Sequence, residues 1–273
     1  MDEKKLASVG FEKTKPDTER AWVISISGET SSGKTTFALT APKPHAFFNF
    51  DHGEARAISG IKDKLDVDKD GNIDGLYIKT FYPPSVKVSS RFSGNVKSPL
   101  REDSGGVQED NIKNFVPLYR DFNEAYNAVL CSGLKYATID DGGDLWEIVR
   151  LAYLGQVTEV MPQHYVEVNA VWKSIIQRAR YRGVNLIITH KLKDVYVGNS
   201  CTGERTLDGF SKDNFLSDIS LLTSWDKKKK QPEILITKCG PNKELEGITI
   251  SGDMCTYTML KALILDCDPE DVT

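Results

Sequence analysis

The stretch that most constrains the fold runs from Gly28 to Thr35, Gly-Glu-Thr-Ser-Ser-Gly-Lys-Thr, and matches the G-x-x-x-x-G-K-[ST] pattern of a phosphate-binding loop. Glycine is needed at its bends because the backbone must turn its N–H groups toward phosphate oxygens. Lys34 supplies a mobile positive charge for the β- and γ-phosphates, and the Thr35 hydroxyl is placed to bind Mg²⁺. The residues predicted to contact ATP are Gly28, Glu29, Thr30, Ser31, Ser32, Gly33, Lys34, Thr35 and Thr36.

The residues that flank this loop support the interpretation. Val23 to Ser27 is an apolar, β-branched run that predicts a buried strand, and Thr35 to Leu39 is typical of a helix that ends before Pro42. A phosphate-binding loop requires the order strand, loop, helix, and the sequence has that order. We therefore predict a site for ATP and Mg²⁺.

The composition predicts one α/β domain spanning residues 1–273. With 40% hydrophobic and 27% charged residues, a chain of 273 residues can bury one large core. No run of 18 apolar residues is present, and Met-Asp-Glu-Lys-Lys at the N-terminus lacks the apolar segment of a signal peptide, so we expect a cytoplasmic protein without a membrane segment. The five cysteines show no C-x-x-C spacing and are expected to be reduced thiols. The net charge of −4 leaves room for a local basic groove.

Three segments of this domain are distinguished: a mobile or peripheral arm at 1–20, an insertion at 60–115 with a flexible basic loop, and an acidic tail at 262–273 that includes Asp266-Cys-Asp-Pro-Glu-Asp. The insertion contains a loop from Ser85 to Gly106 that is rich in Ser, Gly and Pro. This loop is either a solvated segment or a contact with a phosphate backbone. Its basic residues are Lys87, Arg91, Lys97 and Arg101.

Within the insertion, the stretch from Asp66 to Gly75 resembles the first positions of an EF-hand calcium loop. Tyr77 stands at the twelfth position, where such a loop needs a bidentate Glu. Asp-Gly and Asn also favour tight turns. We therefore favour a polar hairpin turn, with a weak cation site as the alternative.

Strands alternate with helices along the chain, which predicts a mainly parallel central sheet flanked by helices. An antiparallel hairpin with a lysine-rich tip, formed by Ile219–Trp225 and Glu233–Lys238, is predicted near the C-terminus. Leu192 to Asn214 is polar and contains three glycines, so we expect a long loop. The other predicted strands are His45–Phe50, Leu76–Tyr82, Tyr136–Asp140 and Val184–Thr189, and the other predicted helices are Ala55–Ile61, Leu118–Leu130, Leu145–Leu154 and Val166–Tyr181.

Polar residues at three predicted strand ends are candidates for catalysis. Asp140 follows an apolar strand, which we expect beside the P-loop strand, and its carboxylate can hold Mg²⁺ through water. Alternation along the strand turns Asp141 to the other side. Asp51 and His190 end two other strands, at the edge where open α/β sheets bind ligands. Either side chain can orient the attacking water during hydrolysis, although a lone His is more often structural.

Two of these strand ends resemble the RecA recombinases. Ala46-Phe-Phe-Asn-Phe-Asp-His-Gly resembles their second strand, which implies that Asp51 is the catalytic base, with Asp in place of the usual Glu. Asn185-Leu-Ile-Ile-Thr-His resembles the strand whose last polar residue senses the γ-phosphate, which implies that role for His190. The catalytic residues implied are thus Lys34, Asp51 and His190, with Thr35 and Asp140 on the metal.

A third stretch, Glu233-Ile-Leu-Ile-Thr-Lys, resembles a late strand that offers lysines to the nucleotide of a neighbouring subunit, which nominates Lys238 and Lys243. Residues 20 to 245 as a whole resemble phage-encoded P-loop proteins of the RecA/KaiC class. That class implies a RecA-like fold, assembly as a ring or filament, and single-stranded DNA as a partner.

The same resemblance implies that two loops face single-stranded DNA: Gly155 to Tyr165, and Lys191 to Asn214. The second loop has four basic and four acidic residues, which gives no net attraction for phosphate. The loop from residue 85 to 101 is a further source of positive charge. The DNA-binding residues predicted are Lys87, Arg91, Lys97, Arg101, Lys191, Lys193 and Arg205.

The resemblance implies an ATPase that binds single-stranded DNA and promotes annealing during phage recombination in a bacterial host, with a single-strand-binding protein as a further expected partner. Two alternatives stay open: a nucleotide-gated DNA motor for packaging or unwinding, and a switch or kinase that does not act on DNA. Kinases of small substrates usually need an arginine-rich lid, and the sequence has no such cluster.

Overall fold

A sheet of eight strands organises the chain in the computed structural model. The structure describes residues 20–62, 65–83, 104–154, 164–198, 200–210 and 212–272, with the backbone only for 104–114. The sheet strands are β1 (Val23–Gly28), β2 (His45–Asn49), β3 (Leu76–Thr80), β4 (Tyr136–Asp140), β5 (Asn185–His190), β8 (Ile219–Asp226), β9 (Gln231–Cys239) and β10 (Thr249–Ser251). Two further strands, β6 (Leu192–Val197) and β7 (Ser200–Leu207), form a separate antiparallel hairpin.

The strand order is β10-β9-β8-β1-β5-β4-β2-β3, and the six strands from β8 to β3 are parallel. Strand β9 pairs antiparallel with β8, and β10 pairs antiparallel with β9. This confirms the predicted fold class, including the antiparallel hairpin near the C-terminus. One expectation was wrong: β4 does not lie beside the P-loop strand, because β5 pairs with both β1 and β4. Local sequence cannot show this order, since it depends on pairing between distant segments.

Seven helices among the described residues cover the two faces of the sheet. They are α1 (Lys34–Leu39), α2 (Glu54–Ile61), α3 (Ser104–Cys131), α4 (Gly142–Leu154), α5 (Tyr165–Arg182), α6 (Asp213–Leu216) and α7 (Tyr257–Leu265). One apolar cluster joins α3, α4 and α5 to one face through side chains such as Phe122, Leu145 and Trp172. The other joins α1 and α7 to the opposite face through Phe37 and Leu260. Both faces are buried because parallel strands connected by helices are covered on both sides.

Alternation within the buried strands decides which face each side chain meets. In β5, Leu186 and Ile188 pack in the cluster of α3, α4 and α5, whereas Ile187 packs with α1 and α7. By the same period of two, Thr189 faces the α1 side and His190 faces the α4 side. This assignment determines how the two residues at the end of β5 contribute to the site.

Three predictions differ from the structure by more than three residues. The predicted loop from Leu192 to Asn214 is the hairpin β6–β7 followed by α6; its strands are mostly exposed and so lack the apolar alternation that marks a strand. Helix α3 begins at Ser104, before the expected start at Leu118, and it passes through Pro117. The acidic tail begins at Asp266, because Ala262 and Ile264 are buried in α7.

The EF-hand-like stretch is a hairpin turn, as favoured. Val67 and Ile73 form an antiparallel bridge, and the Asp68 carboxylate accepts hydrogen bonds from the backbone N–H groups of Asp70 (2.9 Å) and Asn72 (2.8 Å). These bonds lower the pKa of Asp68. Within the described ranges no group of three or more His, Cys, Asp or Glu side chains is arranged to hold a metal ion. Nor does that part of the chain contain a helix long and apolar enough to cross a membrane.

Candidate functional site

The P-loop connects the end of β1 to α1, and close contacts with β8 restrict it. Gly28 pairs with Thr223, and a Cβ atom on Gly28 would lie 2.1 Å from Thr223 Oγ1, so no larger residue fits without movement. The buried Ser32 hydroxyl lies 2.5 Å from the same Thr223 oxygen. Gly33 has a φ of 101°, a left-handed conformation that favours glycine. The two glycines of the motif thus meet two different requirements.

Lys34 folds back onto the loop that carries it. Its Nζ atom donates hydrogen bonds to the carbonyl oxygens of Gly28 (2.9 Å) and Glu29 (2.8 Å). Burial lowers the pKa of Lys34, although the carboxylates of Asp141, Asp140 and Asp51 act in the opposite direction. The ammonium group is therefore held at the mouth of the loop, where a phosphate can replace the carbonyl oxygens as its partner.

Thr35 and Asp140 meet, as the sequence predicts. The Thr35 hydroxyl donates to Asp140 Oδ2 at 2.9 Å, and the Thr189 hydroxyl, from β5, donates to the other oxygen of the carboxylate. Asp140 is only 2% exposed, and burial raises its pKa against the effect of these two hydrogen bonds. The Asp140 carboxylate is thus held from both sides, by Thr35 of the P-loop helix and by Thr189 of β5.

Asp141 has a different role, as alternation predicts. Its Oδ1 atom accepts the backbone N–H groups of Gly143 (2.5 Å) and Asp144 (3.2 Å), in the first turn of α4. It is 1% exposed, and burial raises its pKa to about 7. Asp141 therefore fixes the start of α4 and does not face Thr35.

Lys34 and Thr35 border a cleft of about 770 Å³ at the carboxyl edge of the sheet. The P-loop and α1 form its floor, with Asp51 and Lys191 at one end. The turn between β8 and β9 and the segment Gly252–Thr256 form the other side. A cleft of this size at this edge fits a nucleotide, since ligand sites typically occupy about 300–1,000 Å³.

Asp51 lies in the cleft, where its sequence position predicts, but it is paired. Its Oδ1 atom lies 2.7 Å from Lys191 Nζ, which also donates to Asp144 Oδ2 at 3.0 Å. Burial opposes the charge of Lys191, yet the three nearby carboxylates outweigh it and raise the pKa of this lysine. The structure thus places Lys191, which we predicted to contact DNA, inside the cleft.

His190 is brought to the same edge, but its side chain is fully buried and does not line the cleft. It packs under Gly142, and its Nε2 atom lies 3.3 Å from Asp213 Oδ2. Trp172 Nε1 donates to Asp213 Oδ1 at 2.5 Å. Burial lowers the pKa of His190 to about 3 and raises that of Asp213 to about 7. Thr189, and not His190, therefore contacts the acid of β4.

The hairpin β6–β7 extends over the P-loop. The Arg205 guanidinium forms an ion pair with Glu29 of the loop and a second one with Asp194 at 2.9 Å. Lys193 lies 3.1 Å from Asp208. Both predicted DNA contacts on the hairpin therefore have acidic partners, and Glu29, predicted to contact ATP, faces the hairpin.

The remaining predicted residues lie elsewhere. Lys238 donates to the carbonyl oxygens of Asn214 at 2.9 Å and of Ser217, so its amino group is engaged within its own chain. Lys243 is exposed in a 3-10 turn, Lys243–Leu245. The predicted loops Ser85–Gly106 and Gly155–Tyr165 fall largely outside the described residues. The basic residues Lys87, Arg91, Lys97 and Arg101 all lie in that undescribed part.

Sequence reasoning missed several residues of the cleft. Lys229 and Lys230, from the lysine-rich turn, line it together with Trp225, which is 49% exposed. Strand direction could have predicted Lys229 and Lys230 in the cleft. Because β8 runs parallel to the P-loop strand, the turn after β8 must lie at the edge of the sheet that carries the P-loop. Thr189 could have been found by alternation in β5, because it follows three apolar residues and lies on the same face as Ile187.

The residues present fit Mg²⁺. Thr35 and Asp140 offer a hydroxyl and a carboxylate oxygen on the face of the sheet that carries α1, and oxygen is the ligand this ion prefers. Thr189 holds the far oxygen of that carboxylate, which is the outer support that metal-binding carboxylates usually have.

No protein-family model matches the chain, and none of the curated proteins matches it. Among solved structures, it is similar to a KaiC-like protein from the hyperthermophilic archaeon Pyrococcus horikoshii OT3. The identity is 14%, the match covers 81% of this chain and 80% of that chain, and the TM-score is 0.41. What the site can do therefore follows from the residues of this chain.

Proposed function

We propose that the protein binds ATP with Mg²⁺ in the cleft and hydrolyses it. The observation that carries the proposal is that Lys34, Thr35 and Asp51 line one cleft, while the buried Asp140 accepts the hydroxyl of Thr35. Lys34 binds the β- and γ-phosphates, and Asp51 orients the attacking water. Thr35 and Asp140 hold Mg²⁺, which, when bound, neutralises charge on the phosphates. Asp140 is kept in place by Thr189.

Replacing Lys34 with Ala is expected to abolish ATP binding, because it removes the cation aimed at the β- and γ-phosphates. Isothermal titration with Mg²⁺ and ATP measures this directly. The control is Lys173→Ala, which removes an exposed lysine of α5 and should leave binding unchanged. Undiminished ATP binding by the Lys34 variant would show that the P-loop does not hold the phosphates.

We further propose, on the RecA-like resemblance, that the protein binds single-stranded DNA and promotes annealing or recombination in phage DNA metabolism. The hairpin β6–β7 supports this proposal. It combines Lys193 and Arg205 with Tyr196, which is 62% exposed and can stack on an unpaired base. Because Arg205 also contacts Glu29, strand binding and the P-loop share a residue.

Fluorescence anisotropy with labelled single- and double-stranded oligonucleotides, with and without ATP and across a salt series, tests this. We expect a preference for single strands. The slope of log affinity against log salt should become shallower by about 1 for each of Lys193→Ala and Arg205→Ala if each cation contacts one phosphate. Lys173→Ala should not change it. A preference for duplex favours a DNA motor, and no binding to either at low salt discards the DNA proposal.

Assembly as a ring or filament is also proposed, together with contact to a single-strand-binding protein. The exposed Lys243 supports a role at a neighbouring nucleotide better than Lys238, whose amino group already has carbonyl partners in its own chain. Light scattering with and without a slowly hydrolysed ATP analogue measures the assembly state.

A further inference from the structure

Lys191 lies between two carboxylates in the cleft that the P-loop borders. Its Nζ atom is 2.7 Å from Asp51 Oδ1 and 3.0 Å from Asp144 Oδ2, and it lines the same cleft as Lys34. The three partners come from three neighbouring strand ends, since Asp51 follows β2, Asp144 is in the first turn after β4, and Lys191 follows β5. The sheet itself therefore brings this cluster together.

The ion pairs of Lys191 are of the kind that exchange easily. The side chains are 38% exposed for Lys191, 40% for Asp51 and 39% for Asp144. Pairs this exposed contribute little to stability because water competes for both partners. A phosphate group carries more charge and more acceptor oxygens than one carboxylate, so it is the stronger partner for an ammonium group.

The backbone of Lys191 is fixed, whereas its side chain is partly exposed. Its carbonyl oxygen accepts the N–H group of Asp208 at 2.8 Å, which closes the base of the hairpin β6–β7. The preceding residue, His190, is in the parallel ladder beside Ser27 of β1. Movement of the ammonium group between partners therefore needs only side-chain rotation, which exposed residues undergo rapidly.

We propose that Lys191 distinguishes ATP from ADP by leaving Asp51 and pairing with the γ-phosphate, which frees the Asp51 carboxylate to orient the attacking water. The inference rests on the proposed ATP site and adds a residue to it. Without a γ-phosphate, Lys191 stays on Asp51 and keeps this carboxylate occupied. The protein thus couples the availability of its base to the presence of the group to be cleaved.

The test compares binding of ADP and of a non-hydrolysable ATP analogue, each with Mg²⁺, by isothermal titration. Wild-type protein is expected to prefer the analogue. Lys191→Met should weaken binding of the analogue about tenfold, as expected for loss of a hydrogen bond to a charged group, and should leave ADP binding within about twofold. Lys191→Arg should restore most of the preference, because it keeps the charge and the donors.

Lys173→Met is the matched control, since it removes the same charge from an exposed side chain of α5. It should leave both affinities unchanged. Wild-type protein that binds neither nucleotide overturns the proposed function and the inference with it. If the wild-type preference for the analogue persists in Lys191→Met, the inference alone is overturned. The same holds if this variant loses affinity for both nucleotides equally.

Discussion

Replacing Asp140 with Asn is expected to lower Mg²⁺-dependent ATP hydrolysis by about 10- to 100-fold or more, in the range known for the loss of a group that orients a bound metal. The amide keeps the shape of the side chain and can still accept the hydroxyl of Thr35 or of Thr189. It loses the negative charge that holds the hydrated ion. Phosphate release assays at several Mg²⁺ concentrations measure the effect, and added Mg²⁺ should recover part of it.

The same substitution is expected to stabilise the protein when Mg²⁺ is removed by a chelator. Burial raises the pKa of Asp140, so folding holds a carboxylate in a place that disfavours its charge. An acid with a raised pKa in the folded state costs stability as pH rises above its unfolded pKa, and this cost reaches its full size above the folded pKa. Thermal unfolding should therefore show a gain for Asp140→Asn at pH 8 that disappears near pH 4.

Asp121→Asn is the control for both measurements, because it makes the same charge change on an exposed side chain of α3, far along the chain from the P-loop. It should alter neither hydrolysis nor the pH dependence of unfolding beyond the small effect of its ion pair with Lys79. If Asp140→Asn hydrolyses ATP at the wild-type rate, Asp140 does not hold the metal. Loss of activity together with loss of stability at pH 8 would instead indicate structural damage.

How much of this site could be predicted depends on whether a residue is placed by its neighbours in sequence or by distant strands. The P-loop was predictable because its glycines and Lys34 act through local backbone geometry. Asp140 was predictable from alternation along one strand, which also gave Asp141 its separate role. The fold class followed from alternating strands and helices, whose apolar runs are long enough to recognise.

Lys191 and Arg205 could not be placed in this way. Both occur in a polar stretch whose strands are exposed on most residues, so no apolar alternation marks β6 and β7. The partners of Lys191 follow β2 and β4. They lie close to Lys191 only because β5 pairs with β4, and β4 pairs with β2. Such contacts depend on strand order, and strand order depends on tertiary packing that no short window of sequence contains.

His190 and Asp213 lead to a second large effect, on the pH dependence of stability. In the unfolded chain His190 has a pKa near 6.5 and Asp213 one near 3.8, so this pair binds one proton, on the histidine, between about pH 4 and 6.5. In the folded protein burial lowers the first pKa to about 3 and raises the second to about 7. The folded pair therefore also binds one proton, now on the aspartic acid. Equal proton counts mean that the pair adds no pH dependence in this range.

Replacing either member of the pair should make stability depend on pH, and the slope should have opposite signs in the two variants. In Asp213→Asn the unfolded chain still binds a proton at His190 and the folded protein does not, so stability should rise with pH relative to wild type. In His190→Gln the folded protein keeps a proton on Asp213 that the unfolded chain has lost, so stability should fall with pH. Each slope is expected to approach about 1.4 kcal/mol per pH unit between pH 4 and 6.5, which corresponds to one proton.

Urea unfolding at half-unit steps of pH measures these slopes, and slopes are compared so that any constant loss from altered packing cancels. Other groups near His190, such as Asp208 and Lys34, are present in every variant and cancel as well. The double variant Asp213→Asn with His190→Gln should return to the wild-type slope, because neither titrating group remains. Parallel curves for wild type and Asp213→Asn would show that His190 keeps its proton in the folded variant even without Asp213, which would contradict the lowering of its pKa by burial.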